Sequence, residues 1–587
     1  MCTKTMVKIP ARSLGMVYLT QRHLLIAGLL AMLPLLGWAI PPSAQTTQER
    51  AVCVADPEQL PPLNLLQVQT GRLRRGETTC FRLLASEGEF IRMSVAGPYV
   101  RVRILEPRRG APLVVRWGTE PFALEAPTSG LYVVELSVPR LPQIPLDATP
   151  SFKLQVHEWL SAATQAARRE DLRRDPRTAW LREHAIAIRS LDPNDDDFSD
   201  LEFLRGHLRG VRVVLLGEEN HGGGSTFRAK TRLIRFLHQE MGFNVLAFES
   251  EIFATAEAWR ALQSGAEPRE AFARGAAAVW ARSEQLQPLL DYLVEAVRSA
   301  RPLELIGVGS QFTGTGTPSL AHELRTLLQA HAIESALADE RSGPSQILAG
   351  ILDGRFARDR DHLPSGTEQA AAIQNLQAAA SQVEQRVPGR DGPLWGQILR
   401  SAAAQVGLYL DGLRPDGSVA AYARGRDRQM AANLIWLANV HRRGGKVIVW
   451  AHNVHVMRNP GSVSQDLIPD QGGFTMGHGV WEALGRESFA IGFTSYRGRT
   501  HNAHLPDEIE QDILADQDSA FEFEELLHAA GYELAFMNLR GLPEQDAWLR
   551  GTFWARPLFL RSGQAPWSDV FDALFFIGTQ EPSRGVK

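Results

Sequence analysis

Apolar positions run almost unbroken through six short stretches of the chain: "VRVVLLG" (211–217), "NVLAFES" (244–250), "LELIGVG" (303–309), "KVIVWAHN" (446–453), "SFAIGFT" (488–494) and "LFFIG" (574–578). Helical patterns separate them. A strand with one face in water alternates apolar and polar residues, whereas a strand buried on both faces does not. The pattern predicts an α/β domain over 201–581, with a central mostly parallel sheet flanked by helices. Between the third and fourth runs, stretches such as "SGTEQAAAIQNLQAAASQVEQRV" and "LWGQILRSAAAQVGLYLDGL" carry helical periodicity, which predicts a helical insertion over about 315–440.

The region before residue 159 reads differently. "GETTCFRLLA", "EFIRMSVAG", "VRVRILEP", "GLYVVELSV" and "SFKLQVHEW" alternate and are separated by Gly, Pro and Ser, the pattern of an all-β sandwich, here over 50–158. "SGLYVVELSV" after "FALEAPT" resembles the closing hairpin of pre-peptidase C-terminal domains, modules appended to secreted bacterial peptidases. That resemblance implies an accessory domain, structural or in contact with the cell envelope. A charged helical connector, 159–200, links the sandwich to the α/β domain. A cut near Arg182 is expected to leave a self-sufficient catalytic unit, because every candidate residue lies beyond it.

The first residues change the compartment. Lys4, Lys8, Arg12 and Arg22 precede "LLIAGLLAMLPLLGWAI", and "PPSAQ" follows with the small residues Ser43 and Ala44. This is a secretory signal over 1–44, with an uncleaved membrane anchor as the alternative, and either reading predicts a periplasmic or secreted protein. Cys53 and Cys80 remain after the signal, suited to one disulfide in an oxidising space or to two unrelated thiols. With 62 basic and 66 acidic side chains there is no electrostatic case for a nucleic-acid partner, and a small molecule is the expected ligand.

Ligands of open α/β sheets bind beyond the carboxyl ends of the strands. Three of the predicted strands end in acid or imidazole: "LLGEENH" in Glu218, Glu219 and His221, "LAFES" in Glu249, and "VWAHNVH" in His452 and His455. Any one of them reads equally well as a salt-bridged strand end or a capped turn. Three from one sheet would converge. The glycines Gly222 to Gly224 open an amphipathic helix, "STFRAKTRLIRFLHQEMG", where Ser225 or Thr226 could cap the start and free amides could hold an anion. His452 and His455 are three apart, so both reach one pocket only if the strand stops near His452 and the chain turns at Asn453.

"LLGEENHG", "RLIRFLHQEMGFNVLAFES", "RDRQMAANLIWL", "VIVWAHNVHV" and "MGHGVWEALGRESFAIGFTSYRG" together resemble the erythromycin esterase family over roughly 180–580. The resemblance implies that Glu218, His221, Glu249, His452 and His455 occupy catalytic positions. Lys230, Glu219 and Arg497 are the candidate substrate-binding residues. Two positions depart from the family: Lys230 stands where an arginine is usual, which loses the bidentate fork, and "GVGSQ" has Gly309 where an Asp is frequent. Macrolides are therefore not assigned as the substrate. No serine lies in a G-x-S-x-G elbow, which disfavours an acyl-serine route. The leading expectation is hydrolysis of an ester or lactone by histidine-activated water, without a cofactor. The alternatives are a hydrolase that binds a divalent metal through the same Glu and His residues, and an envelope-binding protein without turnover.

Overall fold

All six apolar runs form strands of one sheet. The computed structural model describes residues 57–106, 112–117, 122–140, 144–276, 278–312, 316–468, 473–501, 510–513, 521–543 and 547–586. The signal segment expected at 1–44 and Cys53 lie outside these residues, while Cys80 is disulfide-bonded. Among the described residues no helix is long and apolar enough to cross a membrane.

Strands β1 (Val68–Arg72), β2 (Thr78–Ala85), β3 (Phe90–Ala96), β4 (Arg101–Leu105), β5 (Val114–Trp117), β6 (Phe122–Glu125), β7 (Gly130–Ser137) and β8 (Ser151–Leu160) make two antiparallel sheets, β1-β8-β3-β6 and β2-β7-β4-β5. Inward residues such as Leu83, Ile91, Val102, Val134 and Leu154 form their common core. β7 does not alternate as expected: Val133 packs with Cys80 on the other face, and Glu135 is buried in a bidentate pair with Arg103 (2.7 and 2.8 Å). The outer face of β7 is covered, so its sequence reads as a two-sided strand.

The central sheet is built from β9 (Ile186–Ala187), β10 (Val213–Leu216), β11 (Val245–Glu251), β12 (Glu304–Gly309), β13 (Val447–Trp450), β14 (Ser488–His501), β15 (Glu510–Ile513), β16 (Leu534–Asn538) and β19 (Ala573–Gln580). Its order is β12-β11-β13-β10-β14-β19-β16-β9, with β15 paired to β14. The first six are parallel; β9, β15 and β16 pair antiparallel. Val213, Leu215, Val245 and Val449 feed one core layer, while Val214, Leu216, Leu246 and Ile448 feed the other. This explains the unbroken apolar runs. A separate hairpin, β17 (Phe553–Leu558) and β18 (Arg561–Ala565), lies between β16 and β19 in sequence. Its two-residue turn holds Phe559 and Leu560 at φ 56° and 58°, a conformation costing an L-residue roughly 1–2 kcal/mol each.

The insertion is helical, with helices at Leu320–Ala330, Gly343–Leu352, Gly366–Arg386, Asp391–Leu413 and Val419–Trp436. Serines start several of them; Ser365 and Glu368 form a capping box that satisfies two helix-end amides. Leu376, Val406, Met430 and Leu434 join the core layer that holds Val213 and Val245. The insertion therefore roofs one face of the sheet.

The connector is less independent than its sequence suggests. Leu172 and Leu181, on helices Ala162–Arg174 and Pro176–His184, belong to the same core layer as the insertion. β9 then adds itself to the sheet edge beside β16. Two residues of strand leave no periodic signal, which is why the connector reads as a linker. A cut near Arg182 would strip two buried leucines, at about 1.5–3 kcal/mol each. A truncation starting at Ser161 is expected to unfold cooperatively at a higher temperature than one starting at Arg182, read by calorimetry.

Candidate active site

Parallel register brings the three strands to one level near their carboxyl ends. Phe248 of β11, Trp450 of β13 and Leu216 of β10 lie side by side. Glu249 comes next within β11, which runs on to Glu251, while Ala451 and His452 follow the end of β13 and Gly217 through His221 follow the end of β10. β13 stops at Trp450, and a short helix, Asn453–Val456, starts at once with His452 as its cap. Val454 N donates to His452 Nδ1 (3.0 Å). In the neutral ring the proton is thereby on Nε2.

Asn453 fixes this turn. Its side chain donates to Phe493 O (2.7 Å) and Pro557 O (2.5 Å) and accepts from Phe493 N (3.1 Å), tying the segment to β14 and β17. The rings of His221 and His452 consequently sit 5.0 Å apart, and those of His452 and His455 6.5 Å apart.

Glu218 is the fully buried hub. Its Oε1 accepts from His221 Nδ1 (2.5 Å) and Trp280 Nε1 (3.1 Å), and its Oε2 accepts from Lys230 Nζ (3.0 Å). Lys230 is itself fully buried, 4.0 Å from the Trp450 ring centroid. Burial pushes the Lys230 ammonium down to about 8, against the opposing pull of Glu218. His221 keeps 20% of its side chain exposed, so the imidazole paired to this hub lies at the open side.

A second network surrounds Glu249. Because Phe248 faces one core layer, Glu249 turns toward the insertion. There Arg426 Nη2 donates to its Oε1 (2.6 Å), while His452 N donates to its Oε2 (2.8 Å). Burial opposes the Glu249 charge, but His455 and Arg426 outweigh it and hold the carboxyl well below its usual range. His455 Nδ1 meets Asp427 Oδ1 (2.9 Å), and its Nε2 lies 3.2 Å from Glu249 and 2.8 Å from Arg426 Nη1. The last two contacts conflict, since arginine donates only to an unprotonated Nε2 and glutamate accepts only from a protonated one. Burial also disfavours the ring's charge, yet two carboxylates prevail over one guanidinium, and His455 rises to about 9. We read it as an imidazolium. His452 goes the other way: burial and the neighbouring His221 push it well below the ordinary value, leaving it neutral.

The remaining expectations divide. Lys230 supports Glu218 from beneath and offers substrate no exposed surface. Glu219 is buried, accepting from Thr226, Ser495 and Gln580, and burial raises its pKa above the ordinary value. It braces the loop against β14 and β19 and, like Lys230, offers substrate no exposed surface. Arg497 is exposed, with Nε toward Thr579 Oγ1 (3.4 Å), and the structure does not bring it to the cluster. The glycine loop is not an anion cradle either. Gly224 N and Ser225 N donate to Glu581 O and Gln580 Oε1 (2.8 and 2.9 Å), and Gly223 caps the helix without a side chain. Gly222 is needed for close approach, because a Cβ there would lie 1.7 Å from His501 O. At Gly309 the bulged β11 fills the space: a Cβ would stand 3.0 Å from Ser250 backbone atoms.

Arg426, Asp427 and Trp280 are the site residues that sequence reasoning missed. Asp427 is fully buried and also accepts from Met476 N (2.8 Å). The signal was an Arg-Asp pair within "RDRQMAANLIWL", charges on a helix otherwise read only as a cover for the sheet.

A parallel sheet presenting three imidazoles, His221, His452 and His455, beside the buried carboxylates Glu218 and Glu249 suits a hydrolase. The chain belongs to the erythromycin esterase family, whose model matches residues 238–578. Glu249, His452 and His455 lie inside that span, and Glu218 and His221 precede it. The chain is 23% identical to erythromycin esterase type II of Escherichia coli over 397 residues, covering 62% of this chain and 89% of that one. A Bacillus cereus crystal structure shares the fold with a TM-score of 0.58 at 18% identity, covering 70% of this chain and 98% of that one. An erythromycin esterase mutant in its open conformation gives 0.50 at 17% identity, covering 68% and 98%. The chain is accordingly a hydrolase by family.

Proposed function

We propose that the protein hydrolyses an ester or lactone by water activated at His221. The observation carrying this reading is the His221 Nδ1–Glu218 Oε1 bond of 2.5 Å beside the His452 ring. With Nδ1 donating to a carboxylate, Nε2 carries the lone pair and takes a proton from water as the water oxygen attacks the carbonyl carbon. The oxyanion then accepts a hydrogen bond from the Nε2–H of neutral His452. Collapse expels the alkoxide, which recovers the proton from His221 Nε2. Glu218 stabilises the transient imidazolium, and Glu249 holds the His452 backbone in place.

The metal alternative fits the side chains less well. His221 Nδ1 and His452 Nδ1 already have partners, and both nitrogens of the His455 imidazolium carry protons, facing Asp427 and Glu249. Among the described residues no three His, Cys, Asp or Glu side chains converge as ligands for one ion. The proposal includes export from the cytoplasm, which rests on the basic, apolar and small-residue order of residues 1–44. N-terminal sequencing that returns Met1 from a cytoplasmic protein would refute that part.

An ester and lactone panel run before and after chelation tests the chemistry. Turnover that survives exhaustive chelation is expected, and activity restored only by added divalent metal would overturn the mechanism. Lys230 adds a pH signature. Its proton leaves near pH 8, and Glu218 then loses its cation. kcat/KM is expected to fall on the alkaline side around that pH. In Lys230→Arg the limb should move upward, because guanidinium stays charged. An unmoved limb would separate Lys230 from the titration.

A further inference from the structure

The hairpin tip beside His452 is built against local preference. Leu558 pairs with Arg561, which leaves Phe559 and Leu560 as a two-residue turn with positive φ at both positions. Asn and Gly fill such turns most readily, because they adopt this conformation at little steric cost. Here two bulky apolar residues occupy it. The flanks force the geometry: Leu558 is fully buried, and Pro557 O accepts the Asn453 side chain that also orients the two histidines. Strain kept in place by surrounding structure clusters at active and ligand-binding sites, and this turn lies beside one.

The ring of Phe559 lies 4.7 Å from that of His452, inclined by 32°, and yet the residue is 40% exposed. A row of rings runs Phe559, His452, His221, Trp280, with the last pair 5.2 Å apart. Trp280 carries the row into the core toward Phe248, its Nε1 bound to Glu218. Phe559 ends it toward solvent. Of the two aromatic flanks, only Phe559 offers apolar surface to a molecule whose carbonyl sits at the imidazoles.

We propose that Phe559 is a specificity-determining residue of this site, an apolar wall selecting esters that carry an apolar group beside the scissile bond. The inference rests on the hydrolase reading above. The polar atoms of the site meet the reacting group, while the exposed ring face removes the flanking alkyl or aryl surface from water.

Two substrate series test it: aryl esters with acyl chains from acetate to octanoate, and acetate esters of alcohols from methanol to octanol. In Phe559→Ala and Phe559→Asn, the ratio of kcat/KM for the longest to the shortest ester should fall about tenfold in at least one series. The ratio does not depend on the fraction folded. Phe559→Asn further separates strain from selectivity, since asparagine tolerates this turn and should melt no lower than the wild type. A ratio unchanged in both series, with all esters slowed alike, would make Phe559 a mere support for His452 and overturn the proposal. Should the wild type turn over no ester, the hydrolase reading fails, and alkyl methyl ketones of matching lengths decide this one by calorimetry. Affinity that rises with chain length and loses that dependence in Phe559→Ala supports the wall; affinity independent of length in the wild type overturns it.

Discussion

His221→Ala is expected to lower kcat by about three orders of magnitude, with KM changed far less. General-base catalysis contributes roughly 10²–10⁴-fold. The middle of that range is expected because this imidazole is held at 2.5 Å by a buried carboxylate that also stabilises its protonated form. The fold should survive, as the ring is partly exposed and its removal leaves Glu218 with Lys230 and Trp280 as partners. Steady-state kinetics on the best ester of the panel checks this, with a melting curve alongside. Hydrolysis within about tenfold of wild type would dismiss His221 as the base.

Asp427→Asn is expected to destabilise the protein by about 2–3 kcal/mol near pH 6, and by much less near pH 10. Asp427 is a principal reason that His455 holds its proton to about pH 9 rather than 6.5. The sign follows from that elevation. A histidine whose folded pKa exceeds the unfolded value contributes stability fully present below 6.5, and this contribution is lost as the pH rises through about 9. Glu249, Arg426 and Asp427 are the charged groups facing this ring. Asparagine preserves shape but not charge, so the difference between variant and wild type should shrink along the same interval. Urea unfolding at several pH values would read it. A difference constant from pH 6 to 10 would mean that Asp427 acts only through its bond to Met476 N.

Sheet and insertion were legible in the sequence because both depend on periodicity. The six apolar runs are the six parallel strands, and the carboxylates and imidazoles at three of their ends are neighbours in space. The turn after His452 was legible too, from the geometric demand of two histidines three apart. β9 was not, since two residues show no period, and neither was β16, whose "LAFMN" stands alone in an irregular stretch. Arg426 and Asp427 were hidden for another reason. A helix read for its buried face gives no hint that it also carries charge down to the sheet edge. Glu219 and Arg497 are charged residues close in sequence to the motifs whose surroundings lie elsewhere: Glu219 is held by Thr226, Ser495 and Gln580, and Arg497 sits on β14 beside Thr579.

The order of the strands also bears on how the protein is made. β13, which supplies His452 and His455, lies between β11 and β10 in space but follows β11 by 196 residues, from Glu251 to Val447. At ribosomal rates of about 5–20 residues per second, that gap amounts to roughly 10–40 s. During it the insertion helices can form from local contacts, whereas β10 and β11 wait with unsatisfied edges facing one another across an empty slot. The nascent chain therefore has no assembled catalytic centre until the middle strand arrives, and the interval before its arrival is when the protein most needs protection from aggregation.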